Sequence, residues 1–98
     1  MQNFSIDIPP LVVEQIKEQA YFIAEDKPKV ALEWYDQVFD KIVSLEQLPE
    51  RCPEAPESKF FEFKVHHLLI GEYRILFRIE SDKVMILSFG SNKKQRPA

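Results

Sequence analysis

The chain has 98 residues, 45% apolar, with eight Phe, two Gly and one Cys: long enough for one modest core, too apolar for disorder, and without an internal disulfide. No apolar run approaches the roughly 20 residues that span a bilayer, and Met1-Gln2-Asn3-Phe4 lacks the basic and apolar segments of a secretory leader, so one cytoplasmic domain over residues 1–98 is expected, with no membrane role. The net charge of −3 hides an asymmetry: residues 1–57 carry five Lys/Arg against twelve Asp/Glu, a balance of −7, and residues 58–98 carry eight against four, a balance of +4.

Phe4, Ile6 and Ile8 alternate with Ser5 and Asp7, predicting a short first strand over residues 3–8. Pro9-Pro10 ends it, because proline cannot donate to a ladder, and Pro10 suits the first turn of a helix. Leu11 to Ala24 follows helical spacing, with Val12, Ile16, Ala20 and Ile23 on one face. Glu25-Asp26-Lys27-Pro28 breaks this helix and starts a second, with Asp26 or Lys27 in the cap region. The second helix has the clearest apolar stripe: Ala31, Trp34, Tyr35, Val38, Ile42 and Leu45. Pro49 is expected to end it, and the pair should form an antiparallel αα-hairpin.

Arg51 to Ser58 reads as an irregular connector. Phe60 to Ile70 is expected to be a strand, bent or bulged because of its length. Three aromatics in Phe60-Phe61-Glu62-Phe63 cannot all face one side, so at least one should meet a partner or a neighbouring chain. Gly71-Glu72 suits a two-residue type II′ turn with glycine at positive φ. Tyr73 to Ile79 then alternates strictly: Tyr73, Ile75, Phe77 and Ile79 point one way, and Arg74, Leu76 and Arg78 the other. Ser81-Asp82-Lys83 turns the chain into a last strand over Val84 to Phe89, and residues 91–98 form a basic polar tail. The whole is an α+β, two-layer domain, an antiparallel sheet packed on an N-terminal αα-hairpin in the order β-α-α-β-β-β. The helices cover one sheet face and leave the other for a partner or a site.

Candidate chemistry gathers on that second face. The basic half of the chain suits an anion or another acidic target. Arg74 leads the candidates, since its guanidinium is a fixed fork of donors matched to phosphate and stays charged. Its structural alternative is an ion pair with Glu80, Glu62 or another carboxylate. Arg78 shares the strand face, while Lys64, Lys93, Lys94 and Arg96 complete an anion- or target-binding set. Of the adjacent His66 and His67, one faces the helices and the other the open side. A strict two-residue turn places His67 beside Leu76 on the open face; a bulge near Leu68-Leu69 would expose His66 with Lys64 instead. Either is a possible general acid or base. Two neighbours on opposite faces cannot share an ion, so no metal is expected, and no cofactor.

Ala31-x-x-Trp34 at the start of the second helix, the run from Leu45 to Pro49, the connector Leu48-Pro49-Glu50-Arg51-Cys52-Pro53 and the hairpin Gly71-Glu72-Tyr73-Arg74-Ile75-Leu76-Phe77 together resemble the RelE/ParE superfamily of type II toxin–antitoxin toxins. The nearer branch is ParE, the plasmid-stabilisation group, and the resemblance runs from Phe4 to about Lys94. It implies a toxin that inhibits DNA gyrase without catalysing a reaction and is neutralised by a cognate antitoxin, a segment of which folds on binding. The alternative within the superfamily is a RelE-like, ribosome-dependent endoribonuclease that cleaves mRNA. Arg74 and Lys94 would then be catalytic, stabilising charge on the phosphate, with His66 or His67 as acid or base. A third reading is a degenerate toxin that only binds antitoxin. Many relatives carry a His and one or two Arg shortly after the last strand; Lys93-Lys94 stands there in this chain, and no Tyr follows Tyr73. Both departures count against an efficient ribonuclease.

Overall fold

Two prolines punctuate the N-terminal half. Pro10 opens a helix where its missing N–H has no partner to lose, and Pro28 does the same for the next. The computed structural model describes residues 3–91. It runs β1 (Ser5–Asp7), α1 (Pro10–Ala24), α2 (Pro28–Val43), 3₁₀ turns at Ser44–Glu46, Pro49–Arg51 and Pro56–Phe60, then β2 (His66–Ile70), β3 (Tyr73–Glu80) and β4 (Lys83–Ser91).

The apolar stripes read from the sequence do face inward. Val12 and Ile16 of α1 and Ala31, Val38 and Ile42 of α2 are buried, and Leu45 in the following turn is fully buried. All but Ala31 meet Ile75, Phe77, Val84 and Ile86 of the sheet in one continuous cluster. Trp34 fills the hairpin end of this layer, edge-on to Tyr73 at 5.4 Å and to Phe89 at 6.0 Å between ring centres. Such edge-to-face pairs suit the ring quadrupoles and add to the burial term.

α2 stops at Val43, well before Pro49. Arg51 folds back over the chain that follows, donating to the carbonyls of Gln47 and Leu48 at 2.8 and 3.1 Å and to Ser44 Oγ at 3.0 Å. The guanidinium thereby supplies donors to carbonyls that a continued helix would have paired internally. Leu48 takes a left-handed conformation, φ 51°, and the residue before a proline is disfavoured in the right-handed helical region, so the helix cannot run on to Pro49.

The sheet order is β1-β4-β3-β2. β2, β3 and β4 form the expected antiparallel meander, but β1 lies parallel to β4, with Ser5, Ile6 and Asp7 beside Lys83, Val84 and Met85. The sheet is therefore mixed. A tight turn forces antiparallel neighbours, whereas a parallel pair needs a long intervening connection; everything from α1 to β3 separates β1 from β4.

The largest departure from expectation is the strand proposed over Phe60 to Ile70, of which only His66–Ile70 is extended sheet. Pro56–Phe60 is a 3₁₀ turn, and the Ser58 hydroxyl accepts the Val65 N–H at 2.9 Å, closing the chain on itself. The connector takes the place of a longer pairing along β2. Ala55 donates to the Val65 carbonyl at 2.8 Å, His67 donates to the Pro53 carbonyl at 3.1 Å, and Glu54 bridges to His66. This edge of the sheet is covered, which removes an open template for pairing.

Candidate functional site

The β2–β3 turn decides which side chains reach the open face. Gly71 has φ 59°, whereas Glu72 is not among the residues with positive φ, the pattern of a type II′ rather than a type I′ turn. Ile70 pairs with Tyr73, Leu69 with Arg74, His67 with Leu76 and His66 with Phe77. Side chains directly opposite one another share a face, so His67 and Leu69 stand with Arg74 and Leu76, and His66 turns inward. A register shift does occur, but between β3 and β4: Leu76 pairs with Ser88 and Phe77 with Ile86. The extra residue, Leu87, lies on β4 and leaves the histidines where a regular β2 puts them.

His66 packs toward the core. Its Nδ1 lies 2.9 Å from the Cys52 carbonyl and donates to it, because a carbonyl only accepts. Its ring also stacks on Phe77. Both contacts tie the connector to the core and hold the His66 ring on the inner side of β2.

His67, Arg74 and Glu57 form one cluster. Arg74 Nη2 donates to Glu57 Oε2 in an ion pair, and Arg74 Nη1 lies 3.0 Å from His67 Nδ1. A guanidinium has donors only, so His67 Nδ1 must present its lone pair and the ring proton must sit on Nε2. Burial, with the Arg74 charge adding to it, pushes the His67 pKa down and keeps the ring neutral. The hydrogen bond from Arg74 holds the Glu57 carboxyl below its ordinary value. Arg74 was expected on an exposed strand face; its side chain is 19% exposed and sits under the connector. Its counter-ion is neither Glu80 nor Glu62 but Glu57, seventeen residues away at the start of a 3₁₀ turn. Glu57 was missed because nothing in the aperiodic connector marks which of its acidic residues turns toward the sheet.

Arg78 is occupied as well. Its guanidinium lies over the Phe63 ring, 4.0 Å from the centre, and pairs with Glu80 at 3.5 Å. The aromatic run thus divides: Phe63 supports Arg78, and Phe60 and Phe61 are exposed. Lys64 is exposed ahead of β2 and joins neither cluster. Lys93, Lys94 and Arg96 lie outside the described residues. Among the described residues no three His, Cys, Asp or Glu side chains gather as metal ligands, and no helix is long and apolar enough to cross a membrane. Cys52 is a buried free thiol whose pKa burial raises, with Arg51 opposing.

The other notable surface is on the helices. An apolar groove of about 430 Å³ runs between α1 and α2, lined by Ala20, Tyr21, Ala24, Ala31, Leu32 and Tyr35, with Lys17 at its margin.

Helices stacked on one face of a mixed four-stranded sheet, with a paired arginine on the other, define a small two-layer α+β domain. Two solved structures share the fold. One is described as the chromosomal ParDE toxin–antitoxin system of P. aeruginosa, with TM-score 0.72 and 15% identity over 90% of this chain and 95% of that one. The other is the archaeal RelE–RelB complex of Pyrococcus horikoshii OT3, with TM-score 0.63 and 15% identity over 96% of this chain and all of that one. No curated protein sequence matches. The family model described as the ParE toxin of the type II toxin–antitoxin system parDE matches residues 6–96. The chain belongs to the ParE toxin family.

Proposed function

We propose that the protein inhibits growth by binding DNA gyrase in the cytoplasm, without catalysing a reaction of its own, and that a cognate antitoxin neutralises it. Membership of the ParE family supports the target class. The observation that carries the non-catalytic part is the closed Glu57–Arg74–His67 cluster. Cleavage of RNA by 2′-hydroxyl attack needs a base to take a proton and a cation to meet the charge that develops on phosphate. Here the one lone pair of the neutral His67 ring is spent on Arg74, and Arg74 already holds a carboxylate. His66, turned inward onto Phe77, offers no substitute.

The groove between α1 and α2 supports the antitoxin half of the reading. Tyr21 and Leu32 line it and are each about 70% exposed, with Phe22 and Leu11 equally exposed on α1. An amphipathic segment that folds on binding would bury Tyr21 and Leu32, the two of these that line the groove. The solved neighbours bear the names of toxin–antitoxin assemblies, ParDE and RelE–RelB.

One observation favours a second reading, the RelE-like ribosome-dependent endoribonuclease: an arginine and an imidazole in contact on the open face are groups that phosphodiester cleavage uses. Induction without antitoxin separates the two. The gyrase reading expects DNA-damage signalling, filamentation and loss of supercoiling activity in vitro while bulk mRNA stays intact. Rapid cleavage of a reporter mRNA that requires ribosomes would overturn it. Absence of both effects, with antitoxin binding retained, would leave the degenerate toxin.

A further inference from the structure

We infer that the protein, free of antitoxin, associates head to tail with a second copy of itself: the Phe60–Phe61 knob of one copy seats in the α1–α2 groove of the next. The inference concerns these two surfaces and does not depend on the cellular target.

The knob is formed before any partner arrives. Ser58 N donates to the Ala55 carbonyl at 3.0 Å and Phe61 N to the Ser58 carbonyl at 3.1 Å, so the turn opened by Pro56 is held at both ends. The Ser58 hydroxyl accepts the Val65 N–H and closes the loop at its base. The Phe61 ring packs against Phe63, 5.2 Å between centres, and Phe63 lies against Arg78. On this fixed frame Phe60 is 77% exposed and Phe61 44%. Aromatic rings that a rigid loop already holds in water lose little further freedom on docking, which is the property of an interface anchor.

The groove complements the knob in shape and in charge. Ala20, Ala24 and Ala31 are its small lining residues, with Tyr21, Leu32 and Tyr35 around them. Its volume of about 430 Å³ is in the range of clefts that enclose a bound group, about 300–1,000 Å³. Glu18 and Glu25 are exposed one turn to either side of Tyr21, and Asp36 one turn beyond Leu32. The cations opposing them are Lys29 and Lys17, and Lys17 is already paired with Glu14 at 3.8 Å. The knob carries Lys59, its Nζ 5.5 Å from the centre of the Phe60 ring, and Lys64, with Glu62 between them. A basic aromatic projection thus faces an acid-rimmed apolar groove. Knob against knob would set Lys59 near its own copy, and groove against groove would leave both concavities unfilled. Unlike surfaces therefore pair, a heterologous contact. Within one chain both surfaces stay exposed, so the occupant of the groove is another copy. One loop in one groove is a small interface, and the association is weak and concentration-dependent. The antitoxin segment of the proposed function uses the same groove, so self-association belongs to the antitoxin-free protein.

The test is sedimentation velocity on the full chain without antitoxin, from low micromolar to millimolar concentration. The parent is expected to sediment faster as concentration rises. A knob variant, Phe60→Ser/Phe61→Ser, and a groove variant, Leu32→Lys, should each weaken association by roughly ten-fold or more when alone. All three positions are exposed, and a native amide spectrum checks each variant; Tyr21→Lys is the second groove variant should Leu32→Lys not fold. Mixing the knob variant with the groove variant should restore a one-to-one complex and nothing larger, because each supplies the half the other lacks. A parent that stays monomeric at millimolar concentration would overturn the proposal. So would variants that associate like the parent, or a mixture of the two that remains monomeric.

Discussion

The imidazole of His66 lies on the ring of Phe77, 5.4 Å between centres and 17° from parallel, while its Nδ1 donates to the Cys52 carbonyl. One side chain thereby joins the fully buried centre of β3 to the connector that leaves the helices. The connector then carries Glu57 across to Arg74. The polar cluster on one face of the sheet thus depends on an apolar contact made on the other.

Phe77→Ala should be strongly destabilising. The side chain is fully buried in the main cluster, and its removal loses both transfer energy and packing, for about 3–5 kcal/mol. A urea melt measures this directly. A loss below about 1 kcal/mol would mean that β3 presents its other face to the helices.

An exposed strand position would make Arg74→Ala nearly neutral for folding. The paired, mostly buried guanidinium revises that figure to about 1–2 kcal/mol, allowing for the partial exposure of both partners. A double-mutant cycle with Glu57→Gln should show coupling between the two sites; strictly additive losses would show that the ion pair contributes nothing in solution. The same Arg74→Ala variant, checked for its native spectrum, should be less toxic if the open face meets the target. Lys17→Ala, on the helical side, should be as toxic as the parent. Full toxicity of folded Arg74→Ala would move the target surface to the helical hairpin.

Stability should fall as the solution is made acid, in two stages. The folded-state pKa values of His67 and Glu57 both lie below their ordinary values of 6.5 and 4.5, so below those values the unfolded chain binds the extra proton more readily. The His67 contribution is complete above about pH 6.5 and declines as pH drops toward its folded-state value. The Glu57 contribution is complete above about pH 4.5 and is lost below it. His67→Gln should flatten the first stage and Glu57→Gln the second, in melts run from pH 7.5 to 3.5. A profile for His67→Gln that parallels the parent between pH 6.5 and 5 would show that this ring is not held neutral by the fold.

Much of this molecule is written locally. The alternation from Tyr73 to Ile79 selects the face of β3 that the helices cover, because a period of two admits only two choices and one buries Ile75 and Phe77. Gly71 takes the positive φ that a two-residue turn requires, and the turn sets the register that brings His67 beside Leu76 and turns His66 inward. The apolar stripe of α2 likewise determines which residues meet the sheet. Three features required the tertiary structure: the parallel pairing of β1 with β4, the shortening of β2 to His66–Ile70, and the capture of Arg74 by Glu57. The last two depend on the path of a segment with no periodicity, fixed by single bonds such as Val65 to Ser58 and His67 to Pro53. Periodicity tells a chain which side of an element is buried. It carries no information about which distant carboxylate a loop will deliver to an arginine, and here that delivery decides whether the open face presents a free cation or a closed ion pair.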